Sequence, residues 1–258
     1  MQVHVLASGS TGNAVYFKMG KTQVLIDAGI SARRIEQGLA KVGVRAADLD
    51  GILITHEHTD HIKGIDVLVR KHHIPVWTKP KTWEMISCRD KLPADCVKFL
   101  EADLELNDLY IKPFTISHDA VDPIGFCLYR NNFKSVVATD LGIINRELIE
   151  ALTLSDVAVL EANHDIAMLK NGRYPAFLKN RILSNKGHLS NIEAGKLLAN
   201  IKKKPNMQVF LAHLSQENNR PSIAYNTVSQ ILAESGYEVG NEISIKCTSA
   251  YQVCSYIA

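Results

Sequence analysis

Thiols are few and scattered in this chain of 258 residues. Its five cysteines, Cys88, Cys96, Cys127, Cys247 and Cys254, are odd in number and form no C-x-x-C pair. That argues against a disulfide framework or a thiolate zinc site and suits a reducing compartment. Long hydrophobic runs are missing as well. No uninterrupted apolar segment reaches the roughly 20 residues that a spanning helix needs, so no membrane partner is expected. Met1 leads straight into a strand-like run, without a basic leader and a cleavable apolar stretch, and a cytoplasmic location is expected. An excess of one charge is also absent. The net charge is +2, so an anionic partner has to be met by a local patch rather than by the field of the whole molecule. There is no sequence repeat, low-complexity tract or linker. The remainder is 46% hydrophobic and 22% charged, the composition of an ordinary globular protein long enough to bury a sizeable core.

What the chain does have is a concentration of imidazole and carboxylate. Thr55-His56-Glu57-His58-Thr59-Asp60-His61 follows the apolar run Gly51-Ile52-Leu53-Ile54. A strand aims alternate side chains at one face, so His56, His58 and Asp60 project together and His61 joins them as the next helix begins. Neutral imidazole is the commonest metal ligand and carboxylate a frequent companion; this spacing is that of a metal site. Three further donors stand where apolar strands give way to loops: His118 after Tyr110–Ile116, Asp140 after Val136–Thr139, and His213 after Val209–Ala212. Alone, each would more often be a cap or a surface residue. Beside the cluster they are the donors a closed shell needs. His4, His72 and His73 lack that placement and are expected to be structural or solvated.

Strand-like runs alternate with helical ones. Val3–Ser8, Asn13–Met19 and Thr22–Asp27 are strands; Ser31 caps a helix to about Val42; Ser190 with Glu193 forms a capping box opening a helix to about Ile201. Glu242–Cys247 and Gln252–Tyr256 are expected as a terminal strand pair, and the basic stretch ending at Lys186 as irregular. The Ser8-Gly9-Ser10-Thr11-Gly12-Asn13 turn lacks the Gly-Lys-Ser/Thr ending of a nucleotide loop and leads into a strand; a hairpin turn is favoured, with a backbone anion nest as the alternative. The pattern predicts one domain over residues 1–258: an α/β four-layer αββα sandwich of two mixed β-sheets.

In that order, Asp27, His56-x-His58-x-Asp60-His61, His118, Asp140 and His213 resemble the metallo-β-lactamase superfamily along nearly the whole chain. The resemblance implies two divalent metal ions, with His56, His58 and His118 holding one, Asp60, His61 and His213 the other, and Asp140 bridging. It also implies that Asp27 sits behind the loop and orients ligands. The all-nitrogen-and-oxygen shell permits zinc or manganese. Leu160-Glu161-Ala162-Asn163-His164-Asp165 and Gly187-His188-Leu189-Ser190-Asn191 look like the paired motifs of the transfer-RNA 3′-processing and related phosphodiesterases, in which the glutamate orients the histidine. Here that pair is Glu161 and His188. A carboxylate on one imidazole nitrogen keeps the ring protonated and aimed, as a general acid requires.

With His118-Asp119-Ala120-Val121-Asp122-Pro123 and His213-Leu214-Ser215-Gln216-Glu217-Asn218-Asn219, the motifs are similar to those of the bacterial YycJ/WalJ family. That resemblance implies a metal-dependent DNA 5′-exonuclease associated with DNA repair. The expected mechanism is hydrolysis by a two-metal hydroxide, with Asp60 orienting the nucleophile and His188 protonating the leaving oxygen. Asp165–Gly187 carries Lys170, Arg173, Lys179, Arg181 and Lys186 against one acidic residue, interleaved with Tyr174 and Phe177. Cations with aromatics suit a nucleic-acid strand, DNA favoured over RNA, with Ser10, His164, Lys170, Arg173 and Arg181 as candidate substrate contacts. Two other readings stay open: a hydrolase of small thioesters or lactones, and an RNA phosphodiesterase of the tRNA-processing type.

Overall fold

The structure, a computed structural model, describes residues 1–258. In chain order the strands and α-helices are β1 (Gln2–Ala7), β2 (Ala14–Met19), β3 (Thr22–Ile26), α1 (Ala32–Lys41), β4 (Gly51–Leu53), α2 (Thr59–Ile62), α3 (Ile65–His72), β5 (Val76–Thr78), α4 (Pro80–Met85), β6 (Val97–Phe99), β7 (Leu104–Leu106) and β8 (Leu109–Thr115). They continue with β9 (Ile124–Arg130), β10 (Phe133–Ala138), α5 (Arg146–Leu152), β11 (Val157–Glu161), α6 (Ile166–Asn171), α7 (Ala176–Ile182), α8 (Asn191–Asn200), β12 (Met207–Ala212), α9 (Pro221–Glu234), β13 (Ile243–Cys247) and β14 (Cys254–Ile257). The strands make two mixed seven-stranded sheets. No helix is long and apolar enough to cross a membrane.

The chain divides into two compact units. The first comprises Met1–Pro113, Ala120–Ile124 and Ser249–Ala258. Its sheet runs β14-β1-β2-β3-β4-β5-β6, antiparallel from β14 to β3 and parallel from β3 to β6. Ile35 and Leu39 on α1 and Ile65, Leu68 and Val69 on α3 are buried in one apolar cluster with the sheet residues Leu25 and Ile52. Gly29 marks where this unit's backbone closes on the His56–His61 loop. A Cβ there would lie 1.5 Å from the Asp60 carbonyl oxygen, so only glycine fits. Around it Asn13 N–H donates to Asp60 O and Ala28 N–H to His61 O, both at 2.8 Å.

The second unit comprises Phe114–Asp119 and Gly125–Thr248. Its central strand β11 lies between β10 and β12, parallel to both, and all five of its residues are buried. A strand covered on both faces is read as a continuous apolar run, which is why Val-Ala-Val-Leu shows no alternation. The capping box is present at α8: Glu193 N–H donates to Ser190 Oγ, and Ser190 N–H donates to Glu193 Oε2 at 2.8 Å.

Two expectations are corrected. The terminal strands do not pair with each other: β13 lies parallel to β12, and β14 antiparallel to β1. Each joins a different sheet because its partner strand, not its neighbour in sequence, offers an edge to cover. The basic stretch is not irregular either, since Asp165 accepts from Met168 N–H to cap α6 and Pro175 opens α7.

Candidate functional site

The first unit carries one donor set on the loop after β4. Asp27, directly after β3, is held in the left-handed region at φ 59°. Its carboxylate accepts from Thr55 N–H at 2.9 Å and from the Thr55 hydroxyl, and meets His61 Nδ1 at 2.7 Å. A buried carboxylate on Nδ1 keeps the proton there and leaves Nε2 as the ring's Lewis base. His56 Nε2 and His58 Nδ1 face each other at 3.1 Å. Two ring nitrogens so close share one proton or one cation, and His56 is fully buried. Asp27 thus lies against Thr55 and His61 of the loop after β4. Thr55 and Asn13 are positioning residues that the sequence reading overlooked. The Thr55 hydroxyl lies within 3.2 Å of Nδ1 of both His56 and His61, and the Asn13 amide lies 3.2 Å from His61 Nε2. The available signal was a polar residue beside the histidine run and the last residue of the Gly-rich turn. Ser10, in that turn, is exposed.

The second unit carries the other donor set around Glu161, the last residue of β11. Glu161 is fully buried and accepts four hydrogen bonds. His188 Nδ1 and His213 Nδ1 lie 2.9 and 2.8 Å from Oε1; Leu141 N–H and Leu189 N–H donate to Oε2 at 2.7 and 3.1 Å. Burial pushes its pKa up, but the charge and hydrogen bonds of His188 and His213 more than offset this and hold it at about 2. The pair foreseen as Glu161 with His188 is thus a trio. Strand register supplies the third member: Glu161 lies opposite Ala212, so His213 follows at the same level. Asp140 Oδ1 lies 3.3 Å from His213 Nδ1 and 3.7 Å from both His188 Nδ1 and His118 Nε2. Asp140 and His213 are also left-handed, at φ 61° and 54°, so three strand-end donors sit in a conformation that costs about 1–3 kcal/mol each.

His118 Nδ1 lies 3.3 Å from the Gly187 carbonyl, and its Nε2 lies 3.2 Å from Asp119 Oδ1. Burial lowers its pKa, partly offset by the Asp140 carboxylate, so the ring is kept in the neutral form that ligates metals. Asp140, Glu161, His188 and His213 bring potential ligand atoms within 4.8 Å of one another. Imidazole and carboxylate donors with carboxylate-fixed tautomers fit a divalent first-row ion.

The substrate-contact candidates divide. Lys170 and Arg173 are exposed. Arg181 is exposed but engaged, with Nε and Nη2 each 2.6 Å from Asp119 Oδ2. His164 is corrected: it is 1% exposed with both ring nitrogens sealed from solvent, so it faces the interior rather than a substrate. Of the histidines set aside as structural, His4 bonds Ser255, His72 pairs with Glu36 and His73 with Asp95.

Comparison with known proteins identifies the family. Residues 22–214 match the beta-lactamase superfamily domain family. The chain is 39% identical over 248 residues to the exodeoxyribonuclease YycJ of Bacillus anthracis, covering 95% of this chain and 94% of that protein. It is 35% identical over 250 residues to the exodeoxyribonuclease WalJ of Streptococcus pneumoniae, covering 95% and 93%. Among solved structures, the metallo-beta-lactamase fold protein YhfI from Bacillus subtilis aligns over 98% of both chains with a TM-score of 0.72 at 16% identity, which speaks to the fold alone.

Proposed function

Because the chain belongs to the beta-lactamase superfamily and is a metal-dependent hydrolase, we propose that it is a nuclease removing nucleotides from the 5′ end of DNA. The observation that carries this reading is His188, held by Glu161 at 2.9 Å on Nδ1 and with a side chain still 17% exposed. A protonated ring aimed by a buried carboxylate and open to one side is what an alkoxide leaving group requires. The exodeoxyribonuclease names of relatives matched end to end support DNA as the polymer.

Two divalent ions, zinc or manganese, would be held by side chains of this chain. His56, His58 and His118 would hold one, Asp60, His61 and His213 the other, and Asp140 would add its carboxylate. When bound, the ions supply Lewis acidity to the phosphate and lower the pKa of water. The chain's own residues do the rest. Asp27 and Glu161 fix the tautomers of His61 and His213. Asp60 orients the attacking water, and His188 gives its Nε2 proton to the departing oxygen. Exposed Lys170 and Arg173 take backbone phosphates, with Ser10 as a further polar contact.

The test is protein reloaded with zinc or manganese and given DNA labelled at either end, the same sequence as RNA, and a panel of thioesters. Early release of a labelled mononucleotide from 5′-labelled DNA is expected, and His58→Ala abolishes it. Thioester turnover with intact DNA overturns the reading, and faster cleavage of RNA moves it to RNA processing.

A further inference from the structure

Phe177 is the most exposed of the large hydrophobic side chains, at 75%. Its helix α7 is packed by the neighbouring edge, where Ile182 is buried and Leu178 half-buried. Phe177 is therefore not a core residue at the margin; it points away from the core. Its segment is cationic: Lys170, Arg173, Arg181 and Lys186 are all exposed within it. Arg181 stands one helical turn beyond Phe177, on the same face. Its guanidinium is clamped to Asp119, the residue after His118, and Asp119 in turn lies 3.2 Å from His118 Nε2. A second tie holds the far end of the helix, where His188 N–H donates to the Ile182 carbonyl at 3.0 Å. The Arg181–Asp119 pair and the His188 N–H bond thus tie the helix bearing Phe177 to the chain segments that carry His118 and His188.

A single exposed apolar ring is common on a protein surface; what sets Phe177 apart is the run of exposed cations on its own segment. A protein partner with a complementary apolar patch would also have to accommodate the exposed Lys170, Arg173 and Lys186 of the same segment. A nucleobase brings the matching chemistry: a flat π-face for the ring and a phosphate on each side for the cations. We propose that Phe177 is a stacking platform for a base of the strand being cut, with Lys170, Arg173 and Lys186 holding the flanking phosphates. The inference rests on the nuclease reading and adds its base-binding subsite. Because every base has a π-face, the platform grips without reading sequence.

Two measurements on the metal-loaded full chain test it. In the first, wild type, Phe177→Ala and Phe177→Trp cleave an oligonucleotide and its counterpart with abasic nucleotides at the 5′ end. Phe177→Ala is expected to raise KM about tenfold on the base-bearing DNA, within the range for loss of one stacked base, with kcat changed less than about twofold. On abasic DNA the penalty of the substitution shrinks to about twofold or less, and Phe177→Trp restores KM. In the second, a cleavage-resistant phosphorothioate oligonucleotide is titrated into Phe177→Trp, and quenching beyond that of the wild-type protein is expected. Equal penalties on both DNAs, or no added quenching, overturn the platform while DNA cleavage by wild type leaves the nuclease reading standing. Added quenching without any cleavage by wild type does the opposite.

Discussion

Glu161 concentrates more of this protein's chemistry than any other residue. A fully buried carboxylate is tolerated only when its lone pairs are satisfied, and four donors satisfy them here. Glu161→Gln keeps the shape but offers an N–H₂ group where acceptors are needed. It is expected to lower kcat by about 10²-fold or more and the unfolding free energy by about 3 kcal/mol. His188→Gln is expected to reproduce the kcat loss with a much smaller change in the denaturant midpoint, because its side chain is partly exposed; matching stability losses would mean that His188 is structural. His164 supplies a pH test away from the donors. Burial lowers its pKa from 6.5, with Glu161 and Glu193 pulling the other way, so the fold favours the neutral ring. The unfolded chain takes up a proton that the folded ring refuses. The stability is therefore complete above 6.5 and is lost as pH falls from there through the folded pKa. Denaturant midpoints of wild type and His164→Gln followed downward from about pH 7.5 are expected to converge in acid as wild type loses the more. Parallel curves would contradict the assignment.

Strand ends decide where donors stand. Asp27, Asp140 and His213 follow β3, β10 and β12 and leave their strands through left-handed residues. That turn of the backbone brings the side chain back over the strand end instead of continuing the pleat. The α6–α7 segment is the element with the clearest separate role. Charge reversal of Lys170, Arg173 and Lys186 together leaves the Arg181–Asp119 pair in place. It is expected to weaken binding to single-stranded DNA and to lower the slope of log K against log salt by about 2. An unchanged slope, measured by fluorescence anisotropy across salt, would make the segment a solvated surface.

For the molecule as a whole, elemental analysis of reloaded protein is expected to find two ions per chain. Chelation is expected to abolish cleavage and lower Tm; ions at about a hundredfold over their Kd contribute about 2.7 kcal/mol to the folded state. Much of the architecture was legible beforehand for a physical reason. Strand alternation, the Ser190–Glu193 box and the H-x-H-x-D-H loop are short-range patterns, written within a few residues by the periods of strand and helix. They suffice for two mixed sheets and for the strand ends at which imidazole and carboxylate side chains stand. The relations that make the donors a chemical device are long-range. That Glu161 serves His213 as well as His188 follows from the parallel register of β11 on β12, which brings together residues 52 apart. The capture of Arg181 by Asp119, the burial of His164 and the separation of β13 from β14 likewise depend on which edges and faces pack together. The sequence alone determined which residue types would stand at the strand ends; tertiary packing decided which of them share a proton, a charge or a view of solvent, because those energies depend on distance through space rather than along the chain.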